Sequence, residues 1–207
     1  QRAFLFSGTV AGNLRYGDTA AVIGLGMGRN HVAGYQSHPD VEVAGVCDID
    51  QARLEEIGQK HGVSRRYTDY RAMLEELRPD IVSVAVPNHL HRELTVDALR
   101  AGAHVLCEKP MAMNAGEARE MLDAASTAKR RIMINFSYRF SAQSQALKAE
   151  VERGTFGDFY YGRTIWHRRR GIPRFGGWFG QKALSGGGPL IDLGVHRDGV
   201  DTELFAG

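Results

Sequence analysis

The sequence predicts an α/β protein: a Rossmann-type doubly wound parallel sheet followed by an incomplete second domain of α+β type. Three observations predict it. From Thr19 to about Asn135, short apolar runs alternate with amphipathic segments at βαβ spacing. The first run ends in a glycine-rich turn, Gly24-Leu25-Gly26-Met27-Gly28. One interior run, Ile81 to Val86, is β-branched with no polar break beyond Ser83, as a strand covered on both faces requires.

The elements follow in order. Ala20 to Ile23 is the first strand and His31 to Ser37 is helical. Val41 to Cys47 is the second strand, followed by a helix over about 50–61. Asp69 to Leu77 carries Tyr70, Met73, Leu74 and Leu77 at helical spacing. After the strand at Ile81, Leu90 to Ala101 is helical and stops at Gly102, a suitable C′ residue. Val105 to Cys107 is a strand, Asn114 is placed to cap a helix running to Ala128, and Arg131 to Asn135 is the last strand of the series. Beyond Ser137 the texture changes to a helix over 142–153, an aromatic strand from Phe159 to Trp166, a glycine-rich loop and a helix beginning near Pro189. The expected organisation is a short N-terminal segment over 1–18, a dinucleotide-binding domain over 19–138 and a partial substrate domain over 139–207.

Composition narrows the function. Of 207 residues, 43% are hydrophobic and 24% charged, ordinary for a globular chain, and the formal net charge is only +2. The one basic run, Arg168-Arg169-Arg170, has no basic face around it, so a nucleic-acid partner is not expected. No apolar run approaches the ~20 residues of a membrane helix. Cys47 and Cys107 end apolar runs and read as buried, reduced thiols in a cytoplasmic setting.

The chemistry sits at strand ends. A strand that ends in Gly-x-Gly at a helix N-terminus lets backbone amides and the helix dipole meet a pyrophosphate, which points to Gly24, Gly26, Met27 and Gly28. The spacing is irregular: either the turn is one residue short and Gly28 packs the helix, or Arg29 stands in the packing position. Asp48 lies 22 residues after Gly26, the place of a carboxylate that takes the ribose hydroxyls and repels a 2′-phosphate. NAD is therefore expected in preference to NADP, with Arg29 and Arg53 nearby. His89 and His91 lack a third ligand at suitable spacing, so no metal site is expected.

The stretches "VIGLGMGRNH", "VAVPNHLH", "ALRAGAHVLCEKPMA" and "SGGGPLIDLGVH" together resemble the glucose-fructose oxidoreductase, inositol dehydrogenase and MocA family (Gfo/Idh/MocA) from about Ala20 to His196. The resemblance implies an oxidoreductase acting on a carbinol carbon of a sugar, cyclitol or related polyol. It implies Lys109, Asp192 and His196 as catalytic residues, and Pro87, Asn88, His91, Glu108 and Lys109 as cofactor contacts. Tyr138, Arg139, His167 and Trp178 would border the substrate. Such proteins commonly form homo-oligomers through an open second sheet and continue well beyond His196, so the chain is expected to be an incomplete member, its rival reading a dinucleotide-binding protein without turnover. "QRAFLFSGTVAGNLRYGD", at 1–18, instead resembles the segment starting at the Q-loop of an ABC-transporter ATPase, without a Walker A lysine to accompany it. A chimeric reading frame would account for both.

Overall fold

The computed structural model describes residues 18–161, 163, 165–167, 169 and 177–196. The N-terminal segment, apart from Asp18, therefore lies outside the described residues, as do Arg168, Arg170 and the stretch after His196. The chain divides between Ile134 and Asn135 into two compact units.

The first unit is a six-stranded, wholly parallel sheet in the order β3-β2-β1-β4-β5-β6. Its strands are β1 (Asp18–Ile23), β2 (Val41–Cys47), β3 (Arg66–Tyr67), β4 (Ile81–Val84), β5 (His104–Cys107) and β6 (Ile132–Ile134). The order reverses between β1 and β4, which opens a crevice at the carboxyl ends of those strands. Side chains alternate across the sheet with the period of two that a strand dictates. Ala20 and Val22 join one apolar cluster with Val32 and Tyr35 of α1 (Gly28–Gln36) and Leu54 and Ile57 of α2 (Gln51–Lys60). Ala21 and Ile23 join the other, with Met73 and Leu74 of α3 (Tyr70–Leu77), Leu94 and Leu99 of α4 (His91–Arg100) and Met121 and Ala125 of α5 (Ala115–Ala128).

Local chemistry sets the helix ends. Asp50, Asp69 and Asn114 each accept a backbone N–H of the first turn that follows. Helix α5 ends in a left-handed residue that is not glycine: Lys129 has φ +53° while its N–H reaches the carbonyls of Ala125 and Ser126. A Cβ there is strained, so Lys129→Gly is expected to stabilise the unit by about 0.5–1 kcal/mol once the extra freedom of glycine in the unfolded chain is offset. Thermal unfolding checks this, the expected rise being a few degrees.

The strand β3 was not legible in the sequence, because two residues leave no periodicity. The second unit departs further from expectation. Its described residues hold the helices α6 (Ala142–Glu152) and α7 (Lys182–Ser185), short 3-10 turns and a final helical run, but no strand. The expected aromatic strand from Phe159 to Trp166 is not formed by its described residues: all six strands belong to the first sheet, and nothing among the described residues supplies ladder partners. Aromatic composition matches a strand, yet pairing defines one.

Candidate functional site

The glycine turn divides its work among three positions. Gly24 has φ +85°, and an added Cβ would lie 2.4 Å from the Ala85 carbonyl oxygen and 2.9 Å from Cγ1 of Val86. Its N–H bonds the Cys47 carbonyl at 2.8 Å, so the turn is fastened to β2 while it passes against the segment after β4. Gly26 is the reverse case: an added Cβ would meet nothing within 4 Å, and the residue is exposed. Gly28 is buried, with an added Cβ placed 2.8 Å from Cγ1 of Val22 and 3.3 Å from Cβ of Ala85. Gly28 is thus the packing glycine, the turn is one residue short, and Arg29 does not take that role. Helix α1 starts there with Met27 as an N-cap that makes no side-chain bond, and its first turn holds no acidic residue. Its leading amides carry the dipole's partial positive charge toward the crevice.

Asp48 follows β2 and is buried. Its carboxylate accepts the Leu25 N–H at 2.7 Å, the Asp50 N–H at 2.9 Å, and Nη1 of Arg53 at 3.2 and 3.4 Å. A carboxylate offers about four acceptor positions. Asp48 therefore shapes the glycine turn, and its longer contacts are those to the half-exposed Arg53, which also pairs with Asp50 at 3.1 Å. The cation beside Asp48 was visible in the sequence only as a nearby arginine.

Across the switch point, the segments after β4 and β5 bring Pro87, Asn88, Glu108 and Lys109 to the same end of the sheet. Lys109 is partly exposed and its bond to Pro110 is cis. Glu108 was expected to contact cofactor, but its carboxylate turns inward. Oε1 lies 2.9 Å from Nε2 of His31, and Oε2 accepts the Lys109 N–H at 3.2 Å. Nδ1 of His31 lies 3.0 Å from Oγ of Ser83, which lies 2.9 Å from the Tyr35 hydroxyl. With Nε2–H donating to Glu108, the chain is consistent in one direction: Tyr35 donates to Ser83, Ser83 to Nδ1 of His31. Burial pushes the Tyr35 phenol up to about 12, so it keeps its proton. Sequence reasoning missed this line of His31, Ser83 and Tyr35; the signal was His31, one turn past Gly28, on the face of α1 that meets the sheet.

His91 also differs from expectation. It is fully buried, with Nδ1 2.7 Å from the Pro110 carbonyl and Nε2 2.9 Å from the Val86 carbonyl. Both nitrogens are occupied by backbone, so the ring has none to present to a cofactor. Asn88 is buried and Pro87 partly so.

In the second unit, Asp192 and His196 lie on one helical run after Pro189, wound as a π-turn over Leu190–Gly194, with the Val195 N–H reaching the Leu190 carbonyl. Windings of this kind occur often at functional sites. His196 is buried at 8% exposure. The Tyr138 ring meets it edge-on at 5.0 Å, and the Trp166 ring lies at 6.0 Å from it and 5.1 Å from Tyr138. Tyr138, expected to border the substrate, packs against the histidine together with Trp166, which sequence reasoning had not singled out. Arg139 lies over the Phe136 ring, Trp178 stacks on Phe179 at 3.9 Å, and His167 is exposed. Cys47 and Cys107 are buried, and desolvation pushes both thiols up to about 12.

Residues 19–136 match the model of an oxidoreductase family with an NAD-binding Rossmann fold, and residues 144–197 match that family's C-terminal domain. The chain belongs to the Gfo/Idh/MocA oxidoreductase family. It is 40% identical over 189 residues to D-glucoside 3-dehydrogenase of Escherichia coli (strain K12), covering 89% of this chain and 52% of that protein. It is 32% identical over 188 residues to D-apiose dehydrogenase of Paraburkholderia graminis, covering 89% and 49%. The chain thus spans about half the length of the curated relatives it matches. Among solved structures, an NAD-binding oxidoreductase from Klebsiella pneumoniae superposes with TM-score 0.75 at 30% identity, covering 92% of this chain and 54% of that one. Levoglucosan dehydrogenase in complex with NADH superposes at 0.76 and 26% identity, covering 91% and 54%.

The Gfo/Idh/MocA Rossmann unit fits the dinucleotide its family model names. Gly26 leaves room for a close backbone approach, the start of α1 presents the amides a pyrophosphate would need, and Asp48 follows β2 at the same end of the sheet. Among the described residues, no group of three or more His, Cys, Asp or Glu side chains is placed to hold a metal ion, and no helix is long and apolar enough to cross a membrane.

Proposed function

We propose that this family member is an NAD-dependent oxidoreductase acting on a carbinol carbon of a sugar. The reading is carried by the end of β5, where Lys109 stands at the same end of the sheet as the glycine turn, on a segment held by the Glu108–His31 contact. When bound, the dinucleotide supplies or accepts the hydride. Lys109 donates a hydrogen bond to the reacting hydroxyl and favours its developing negative charge. In the second unit, His196 is the side chain suited to act as general base, and Asp192, four residues earlier, orients it. Tyr138 and Trp166, packed on His196, offer flat apolar faces to a sugar ring. The glucoside, apiose and levoglucosan dehydrogenases among its relatives favour a sugar over a cyclitol. The two buried cysteines, not joined in a disulfide, fit a reducing, cytoplasmic setting.

Fluorescence titration with NADH and NADPH, followed by turnover with D-glucosides and free aldoses, tests the reading. Saturable binding that is tighter for NADH, with turnover of one of these sugars, is the expected result. Dinucleotide binding with no turnover of any polyol would leave a binding protein instead. Because Arg53 is positioned to soften the repulsion between Asp48 and a 2′-phosphate, Arg53→Ala is expected to weaken NADPH about tenfold more than NADH, roughly one charge-assisted hydrogen bond. Equal weakening of the two would show that Arg53 does not read the phosphate.

A further inference from the structure

The imidazole of His91 is fully buried between two backbone carbonyl oxygens, 2.7 Å from that of Pro110 and 2.9 Å from that of Val86. A carbonyl has no proton to give, so each contact must be donated by the ring. A neutral imidazole has one N–H and an imidazolium has two. The geometry therefore satisfies both contacts only in the protonated ring; a neutral ring turns a lone pair toward one of the oxygens. The two carbonyls belong to the segments after β4 and β5, at whose carboxyl ends the fold binds dinucleotide. We propose that His91 is a positioning residue for the dinucleotide crevice: carrying its second proton it fastens the segment after β4 to the segment after β5, and without that proton it holds only one of them.

The charges that bear on it set the direction. Burial is the largest influence and draws the imidazole below its ordinary pKa, while the Pro110 and Val86 carbonyls raise it. From the segment after β5, the Glu108 carboxylate favours the imidazolium and the Lys109 ammonium opposes it; the segment after β4 faces the ring with the Val86 carbonyl. Because burial outweighs the rest, the double clamp is populated only at pH below the ordinary imidazole range and is lost as pH rises. A cofactor that binds the fastened crevice better must also raise the affinity of His91 for its proton, since the two equilibria are linked.

The test measures NAD⁺ affinity of the full chain by calorimetry from pH 7.5 down to the lowest pH at which the protein remains folded, for the wild type and His91→Gln. Wild-type affinity is expected to rise about fivefold toward acid, the worth of one hydrogen bond, while the variant stays flat. Parallel slopes in the two proteins would overturn the proposal. Nitrogen-15 NMR of the wild-type histidine rings serves if the variant does not fold. The His91 signal should show two ring N–H protons at the acid end and an apparent pKa that rises when NAD⁺ is added. A ring with a single N–H throughout, or a pKa unmoved by NAD⁺, would refute it.

Discussion

Replacing His196 by Asn is expected to lower turnover by about 10²- to 10⁴-fold, the range for removal of a general base, with NADH affinity unchanged. Asparagine keeps a polar group of similar reach but cannot take a proton at neutral pH. The ring it replaces is packed edge-on against Tyr138 and lies beside Trp166 in the second unit, whereas the residues that fit the dinucleotide all lie in the first. Cofactor titration of the same variant therefore reports whether the Rossmann unit is intact, independently of the chemistry. Rate loss with NADH binding preserved supports the assignment. Wild-type turnover in the variant would remove His196 from the reaction and shift attention to Lys109.

The legible part of this chain was whatever repeats. The alternation of apolar runs and amphipathic helices located five of the six strands and the helices between them, because each run buries a face whose period is written in the residues themselves. Asn114 and Gly102 marked helix ends for the same local reason. What was not legible depends on partners distant in sequence. Glu108 looked like a ligand residue at a strand end, yet it turns to His31, 77 residues away. His91 looked presentable in a polar loop and is instead buried against the Pro110 carbonyl, 19 residues on. The aromatic stretch at Phe159 to Trp166 has strand composition and no ladder partner among the described residues. The glycine turn is the intermediate case: three glycines were evident, but only the 2.8 Å between an added Cβ at Gly28 and Val22 decides which of two positions packs the helix.

That division of labour makes Gly24 and Gly26 separable by experiment. Gly24→Ala is expected to lower the melting temperature by about 10 °C and to abolish NADH binding. Its Cβ would sit 2.4 Å from the Ala85 carbonyl oxygen and 2.8 Å from the carbonyl carbon, backbone atoms between β4 and the rest of the crevice, and φ +85° is itself unfavourable for alanine. The dihedral costs about 1–2 kcal/mol and the overlap about 1–3 more, a large share of the 5–15 kcal/mol that holds a domain together. At roughly 2–4 °C per kcal/mol for a chain of this size, the drop follows. Gly26→Ala should behave differently, since its Cβ meets nothing within 4 Å: the unit melts as the wild type does, but the methyl group stands where the pyrophosphate must approach, and NADH affinity falls. Calorimetric melting of both variants beside an NADH titration separates the roles. A Gly24→Ala protein that melts with the wild type would mean that the turn can move off Ala85, and the crevice would then owe its shape to Asp48 and the Leu25 amide instead.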